Sequence, residues 1–244
     1  MTVEHRNFIY DAWLAEIIGV DTYRLIVDDE FINRVGDENS EEYRLLRDVQ
    51  SGPVFLFTRV PTHHLSAVRF LEEKGFNLID ASITLQKPIS KVKPVSQFEI
   101  RNTVPDDEED VVRLAGKSFR FSRFHQDSQI PGDIADRTRS EWVRGYFRGT
   151  RGNDMVIALD GEKVTGFLLL VHNDSVLTID FIAVDKGYRG RGIAGDMIKY
   201  AEAGGGRFSV ISTGTQITNL PSLRLYEGMG FRIAASQYTF HYHH

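Results

Sequence analysis

Hydrophobic and polar residues along this chain follow two alternating periods, one suited to strands and one to helices. Ala15 to Val27 carries strand-like apolar positions, Glu41 to Gln50 predicts a short helix, and Val54 to Arg59 predicts a strand. A helix from Leu65 to Lys74, stopped by Gly75, leads into a strand from Asn77 to Gln86. Two prolines and three lysines between Lys87 and Ser96 then break every period. That break predicts a linker at 91–96 between domains at 1–90 and 97–244.

Beyond the linker the pattern predicts a strand at Phe98–Asn102 and a helix from Pro105 to about Ser118. The acids from Asp106 to Asp110 fit the first turn of that helix, where they complement its dipole, better than they fit a metal site. A polar, aromatic segment (119–132) precedes a helix from about Ile134 to Gly149. Three strands follow, Met155–Leu159, Val164–His172 and Val176–Asp185, with turns at Asp160-Gly161 and Asn173-Asp174. A loop and helix, a strand at Phe208–Ser212, a helix at Leu220–Met229 and two strand segments complete an α/β chain.

Composition narrows the function classes. With 244 residues, 41% hydrophobic and 26% charged, the chain has ordinary globular values and can bury a substantial core. A net charge of −5 offers no field for nucleic acid, and no apolar run is long enough to span a bilayer. The absence of cysteine excludes disulfides and thiol nucleophiles, and no metal site is expected. The N-terminus has no secretory pattern, so a cytoplasmic protein is expected. The alternation of Tyr238 to Tyr242 reads the terminal His-Tyr-His-His as part of a native strand.

The chemistry centres on the loop after Asp185. Gly190, Gly192 and Gly195 let backbone approach a ligand, and the N-terminus of the following helix favours an anion such as pyrophosphate. Gly190-Arg191-Gly192-Ile193-Ala194-Gly195 also spells a dinucleotide-binding pattern, which needs an acidic residue after the next strand to hold the ribose. Thr213-Gly214-Thr215-Gln216 stands there instead.

The pattern Arg189-x-x-Gly192-x-Ala194, behind an apolar strand ending in Ala-Val-Asp, resembles the coenzyme A loop of the GNAT acetyltransferase superfamily. Asn219 and Tyr226 follow in the order that superfamily has them. The resemblance implies a mixed, mostly antiparallel sheet, with acetyl-CoA as donor in an opening between strands 176–185 and 208–212. Ile182, Ala183 and Val184 would meet its arm, residues 189 to 195 its pyrophosphate, and Asn219 the arm again. Tyr226 would protonate the departing thiolate, and Asp180 is a candidate base, with His125 and His172 as rivals. Asn219 equally reads as the N-cap of its own helix.

Residues 64–76 match 219–231 at a constant offset, with Leu65, Arg69, Glu72, Gly75 and Phe76 identical to Leu220, Arg224, Glu227, Gly230 and Phe231. Any amphipathic helix ending in Gly-Phe would look alike; a true repeat makes the first domain a smaller, partial GNAT-like copy that lacks the loop. Finally, Phe119, Ser122, Arg123 and Phe124, followed by Trp142 and Gly149, are similar to nucleotide-sugar acetyltransferases of the dTDP-fucosamine type. This implies an amine acceptor on a nucleotide sugar, contacted by Arg120, Ser122, Arg123, Phe124 and His125. An aminoglycoside, a polyamine or a protein N-terminus stays open as acceptor, as does a silent acyl-CoA sensor. Oligomeric state is open, a homodimer included.

Overall fold

The computed structural model describes residues 5–92, 94–118 and 121–244. They form two compact units interleaved in sequence, which a single linker does not anticipate. The first holds residues up to Ser82, Arg123–Ile134 and Ala235–His244; the second holds Ile83–Ser122 and Ala135–Ala234.

In chain order the elements begin with β1 (Phe8–Tyr10), α1 (Ala12–Ile18), β2 (Asp21–Leu25), α2 (Asp29–Val35), α3 (Glu41–Gln50), β3 (Val54–Pro61), α4 (Leu65–Glu73) and β4 (Asn77–Pro88). After them come β5 (Glu99–Asn102), α5 (Glu108–Ser118), α6 (Arg123–Gln126), α7 (Gly132–Phe147), β6 (Asp154–Asp160) and β7 (Lys163–Asn173). The chain closes with β8 (Val176–Val184), α8 (Ile193–Gly204), β9 (Val210–Gln216), α9 (Leu220–Gly228) and β10 (Arg232–His243).

The strand expected over Ala15–Val27 is in fact α1, a left-handed Gly19 (φ 90°) and β2. Asp11 caps α1 through the Leu14 N–H, and Leu14 and Ile17, three apart, are its buried residues. Mixed apolar spacing in so short a helix imitated a strand. The two terminal strand segments are one strand, β10, whose residues Gln237 to His243 pair antiparallel with β3. The histidine-rich end is therefore an integral strand of the first unit. Phe8, Tyr23, Phe31, Leu56, Leu71 and Phe240 form that unit's core, and each such side chain contributes about 1.5–3 kcal/mol on burial.

In the second unit β5, β6, β7 and β8 pair antiparallel in sequence order, and β8 pairs parallel with β9. Opposite Leu169 and Leu170 of β7 the register steps from Phe181 to Ile179, so Asp180 is the extra residue of a bulge. One added residue turns the strand over. Leu177 and Ile179 join the core beneath α8, whereas Phe181 and Ala183 join the core shared with α5 and α7.

The two halves of the repeat end alike. Phe76 N–H bonds to Leu71 carbonyl at 2.9 Å and Phe231 N–H to Tyr226 carbonyl at 3.0 Å, over Gly75 (φ 80°) and Gly230 (φ 86°). Both are helix stops that need a left-handed residue, so Gly-Phe recurs for a local physical reason.

Candidate active site

The site begins where the β8–β9 ladder ends. Pairing runs from Val176↔Val210 to Ile179↔Thr213 and stops, leaving the β9 side of β8 open over residues 180–184. Ile182, Ala183 and Val184 lie on that open edge. Beyond them Arg189 Nε donates to the Val184 carbonyl at 3.1 Å, folding the loop back on the strand.

Gly190 (φ 78°) and Gly192 (φ 84°) both take the left-handed conformation, and Gly192 is the N-cap of α8. Gly192 has no side chain to cap that helix, so the first N–H groups of α8 open on an exposed, glycine-lined turn. Ile193 is buried in the core and anchors the turn, and Ala194 and Gly195 are half-buried behind it. Such a terminus suits a pyrophosphate, and the arrangement fits a nucleotide-bearing acyl donor.

Tyr226 is 2% exposed, with its hydroxyl against Thr213, the last paired residue of β9. Burial pushes its phenol above the ordinary tyrosine value, so it stays protonated at neutral pH. Phe231 packs on its ring at 5.3 Å. Asn219 does cap α9, accepting from Ser222 N–H at 3.4 Å, while its amide donates to Thr215 Oγ1 at 3.1 Å.

Asp180, in the bulge, turns toward α7. Trp142 Nε1 and Tyr146 Oη both donate to its Oδ2, each at 2.7 Å. Burial first, and the Asp180 charge second, push the Tyr146 phenol upward, so it remains a donor. Trp142 stacks at 5.5 Å on Phe181, Arg151 covers Trp142 at 3.9 Å, and Arg139 covers Phe181 at 4.5 Å. None of these α7 partners was assigned a role from sequence. The available signal was Trp142 and Tyr146 four residues apart on one helix face.

The expected acceptor residues fare differently. Arg120 lies outside the described residues. Ser122, Arg123 and Phe124 are buried, with the Arg123 guanidinium 4.0 Å from the Phe57 ring centre, and half-buried His125 sits on α6. His172 is held by Asp154 at 2.8 Å and Arg207 at 2.7 Å. It borders a cavity of about 870 Å³ with Leu177 and Phe208, at the C-terminal end of α8 and not at the loop end.

A second titratable group escaped the sequence. Asp127 Oδ2 accepts from His241 Nδ1 at 2.6 Å and His243 Nε2 at 2.7 Å, and Asp127 Oδ1 accepts from Gln129 N–H at 2.9 Å. Burial works to raise the Asp127 carboxyl, and these three hydrogen bonds overcome it and hold it below its usual range. Burial pushes His241 down to about 4 against its bond to Asp127, with the charge of Arg123 adding to the fall. The three ligand-type atoms lie within 4.8 Å of one another. Their hydrogen-bond spacing and the nearby Arg123 describe two imidazoles clamping a carboxylate. Histidines two apart on a strand share a face, which was the sequence signal missed.

Residues 116–231 match the acetyltransferase (GNAT) family. The spore coat polysaccharide biosynthesis protein SpsD of Bacillus subtilis is 31% identical over 195 residues, 77% of this chain, and the chain spans 66% of that relative's length. A functionally unknown conserved protein from Staphylococcus epidermidis aligns over 99% of this chain and 92% of its own, with TM-score 0.67 at 13% identity. A GCN5-related N-acetyltransferase from Sphaerobacter thermophilus aligns over 91% of this chain and 72% of its own, with TM-score 0.60 at 14% identity. Acetyl-CoA is the acyl donor of the matched family. With the open β8 edge, the glycine turn and the family match in one place, the chain carries a GNAT acetyltransferase domain.

Proposed function

We propose that this protein transfers acetyl from acetyl-CoA to a primary amine on a nucleotide-linked aminodeoxysugar. The observation that carries this reading is the opening past Ile179↔Thr213, with the glycine turn of α8, the buried Tyr226 phenol and the bulged Asp180 all bordering it.

In this reading the N–H groups at Gly192 to Ala194 hold the donor's pyrophosphate, and the open edge of β8 pairs with its arm as an added strand. A β8 N–H near Ile182 or Ala183 faces the charge that develops on the thioester oxygen. Asp180 takes one proton from the acceptor ammonium, and the neutral amine attacks the acyl carbon. The C–S bond breaks, Tyr226 gives its proton to the leaving sulfur, and the amine's second proton restores Tyr226. The products are an amide and a thiol, with one proton released to solvent from Asp180. Asn219 fixes the end of α9 through Ser222 and Thr215, and so fixes where Tyr226 sits.

Two observations support a sugar acceptor. The SpsD relative is named for polysaccharide biosynthesis. Arg139 and Arg151, stacked on Phe181 and Trp142 beside Asp180, add positive charge that suits an anionic nucleotide and disfavours a polycation. With Arg123 buried on Phe57, these two take the electrostatic part first expected of it, beside Arg120. The first unit serves as a partial GNAT-like copy, and the protein acts in the cytoplasm.

The test is thiol release from acetyl-CoA over a panel of dTDP-linked 4-amino and 3-amino deoxyhexoses, an aminoglycoside, spermidine and a peptide N-terminus. Turnover confined to the nucleotide sugars supports the reading. Turnover only with a cationic amine assigns another acceptor, and tight acetyl-CoA binding without turnover indicates a sensor.

A further inference from the structure

Asp180 has one of its two oxygens occupied. Two hydrogen bonds, from Trp142 Nε1 and Tyr146 Oη, arrive at Oδ2 at 2.7 Å, and Oδ1 accepts none among the described residues. The donors come from consecutive turns of α7, and the acceptor is the extra residue of the β8 bulge. A regular strand would have placed position 180 differently relative to the flanking cores, as the crossing of Ile179 and Phe181 to opposite cores makes plain.

The surroundings are built to keep those donors still. Tyr146 is 8% exposed and reaches Asp180 past Gly152, where an added Cβ would fall inside the Tyr146 ring; Gly152 is also left-handed, with φ 57°. Arg151, carried by the same turn, lies over Trp142 at 3.9 Å, and Trp142 leans on Phe181 at 5.5 Å. Among the described residues, the titratable group on this carboxylate is the neutral Tyr146 phenol, and the charged groups behind the ring stack are Arg151 and Arg139.

We infer that Trp142 and Tyr146 are positioning residues, which fix Asp180 through Oδ2 so that Oδ1 alone meets the acceptor ammonium. This rests on Asp180 as the base of the proposed acetyl transfer. The proton leaves the amine nitrogen, arrives at Oδ1, and departs from Oδ1 to solvent; Trp142 and Tyr146 neither gain nor lose one. A carboxylate pinned at one oxygen presents a single lone-pair direction, which shortens the search for a reactive geometry. Each hydrogen bond is charge-assisted and belongs to the stronger class.

The experiment is a double-mutant cycle among Tyr146→Phe, Trp142→Phe and Asp180→Asn, assayed by thiol release with acetyl-CoA and the best dTDP-aminosugar of the panel. Tyr146→Phe keeps the ring beside Gly152 and removes only the donor. The expected result is a fall in kcat of about ten- to a hundredfold with KM for acetyl-CoA unchanged. In the Asp180→Asn background neither aromatic substitution should lower turnover further.

Wild-type kcat in both aromatic variants, with Asp180→Asn inactive, overturns the inference and leaves the base assignment standing. Full turnover in Asp180→Asn overturns both. Losses that add in the double variants also overturn the inference, since the aromatic groups then act elsewhere. A readout independent of turnover is the pair of indole N–H resonances from Trp13 and Trp142: one must move on Asp180→Asn and vanish in Trp142→Phe. A spectrum unmoved by Asp180→Asn rejects the contact itself.

Discussion

His241 Nδ1 lies 2.6 Å from the Asp127 carboxylate, a bond that closes 114 residues of chain and ties β10 to the segment after α6. His243 reaches the same oxygen at 2.7 Å, and Phe55 stands 4.8 Å from both imidazole rings. Removing the carboxylate strands two imidazole donors, the His241 one fully buried and the His243 one partly so. Asp127→Ala is expected to destabilise the fold by about 2–4 kcal/mol, read from urea unfolding at constant slope.

The same clamp sets an acid limit. His241 falls to about 4 when folded, against about 6.5 for an unhindered histidine, so the unfolded chain takes its proton first as pH drops. Stability should therefore decline between about pH 6.5 and 4, by an amount on the order of 3 kcal/mol from this group. Asp127, held below the usual range, has the contribution of an acid. It is complete above the ordinary carboxylate value and is lost as pH falls below that value. Urea midpoints across pH 4–8 check this, and His241→Phe, which has no proton to take, should flatten the upper part of the slope.

The donor site depends on backbone shape at Gly192. Its φ of 84° is costly for any residue with a Cβ, by about 1–2 kcal/mol, although there is open space around it. Gly192→Ala should raise KM for acetyl-CoA at least tenfold with little loss of kcat at saturation, because the turn that presents the α8 N–H groups relaxes. Unchanged KM would mean that the turn does not hold the donor.

Tyr226 is a separate test of the chemistry. Tyr226→Phe should lower kcat by about 10²–10⁴ and leave acetyl-CoA affinity near wild type, as befits a general acid. The alkaline limb of the wild-type rate should lie above the ordinary tyrosine range, since burial raises this phenol. Wild-type turnover in the phenylalanine variant removes Tyr226 from the mechanism.

Much of the second unit was legible because its elements are long and periodic: β7, β8 and α8 fall close to their expected bounds, and the glycine loop sits between β8 and α8 as read. Asn219 and Tyr226 follow from the same pattern. What was hidden is tertiary. The bulge at Asp180 has no composition of its own, and a period-two strand reads straight through it. Arg123 looked like a phosphate ligand by residue type, whereas its side chain is buried with the guanidinium 4.0 Å from the Phe57 ring centre. The units also trade chain: β10 follows α9 of the second unit but pairs with β3 of the first. No local pattern announces that exchange. Likewise α1 and α2, seven residues each, are too short for periodicity to separate from strands and turns.

The most direct test of the central claim is mass spectrometry of the acceptor after incubation of the purified protein with acetyl-CoA and dTDP-4-amino-4,6-dideoxygalactose or its gluco epimer. The account predicts one acetyl group gained on the sugar amine, stoichiometric with free thiol, and lost in Tyr226→Phe. An unmodified sugar nucleotide under conditions where another amine is acetylated would contradict it.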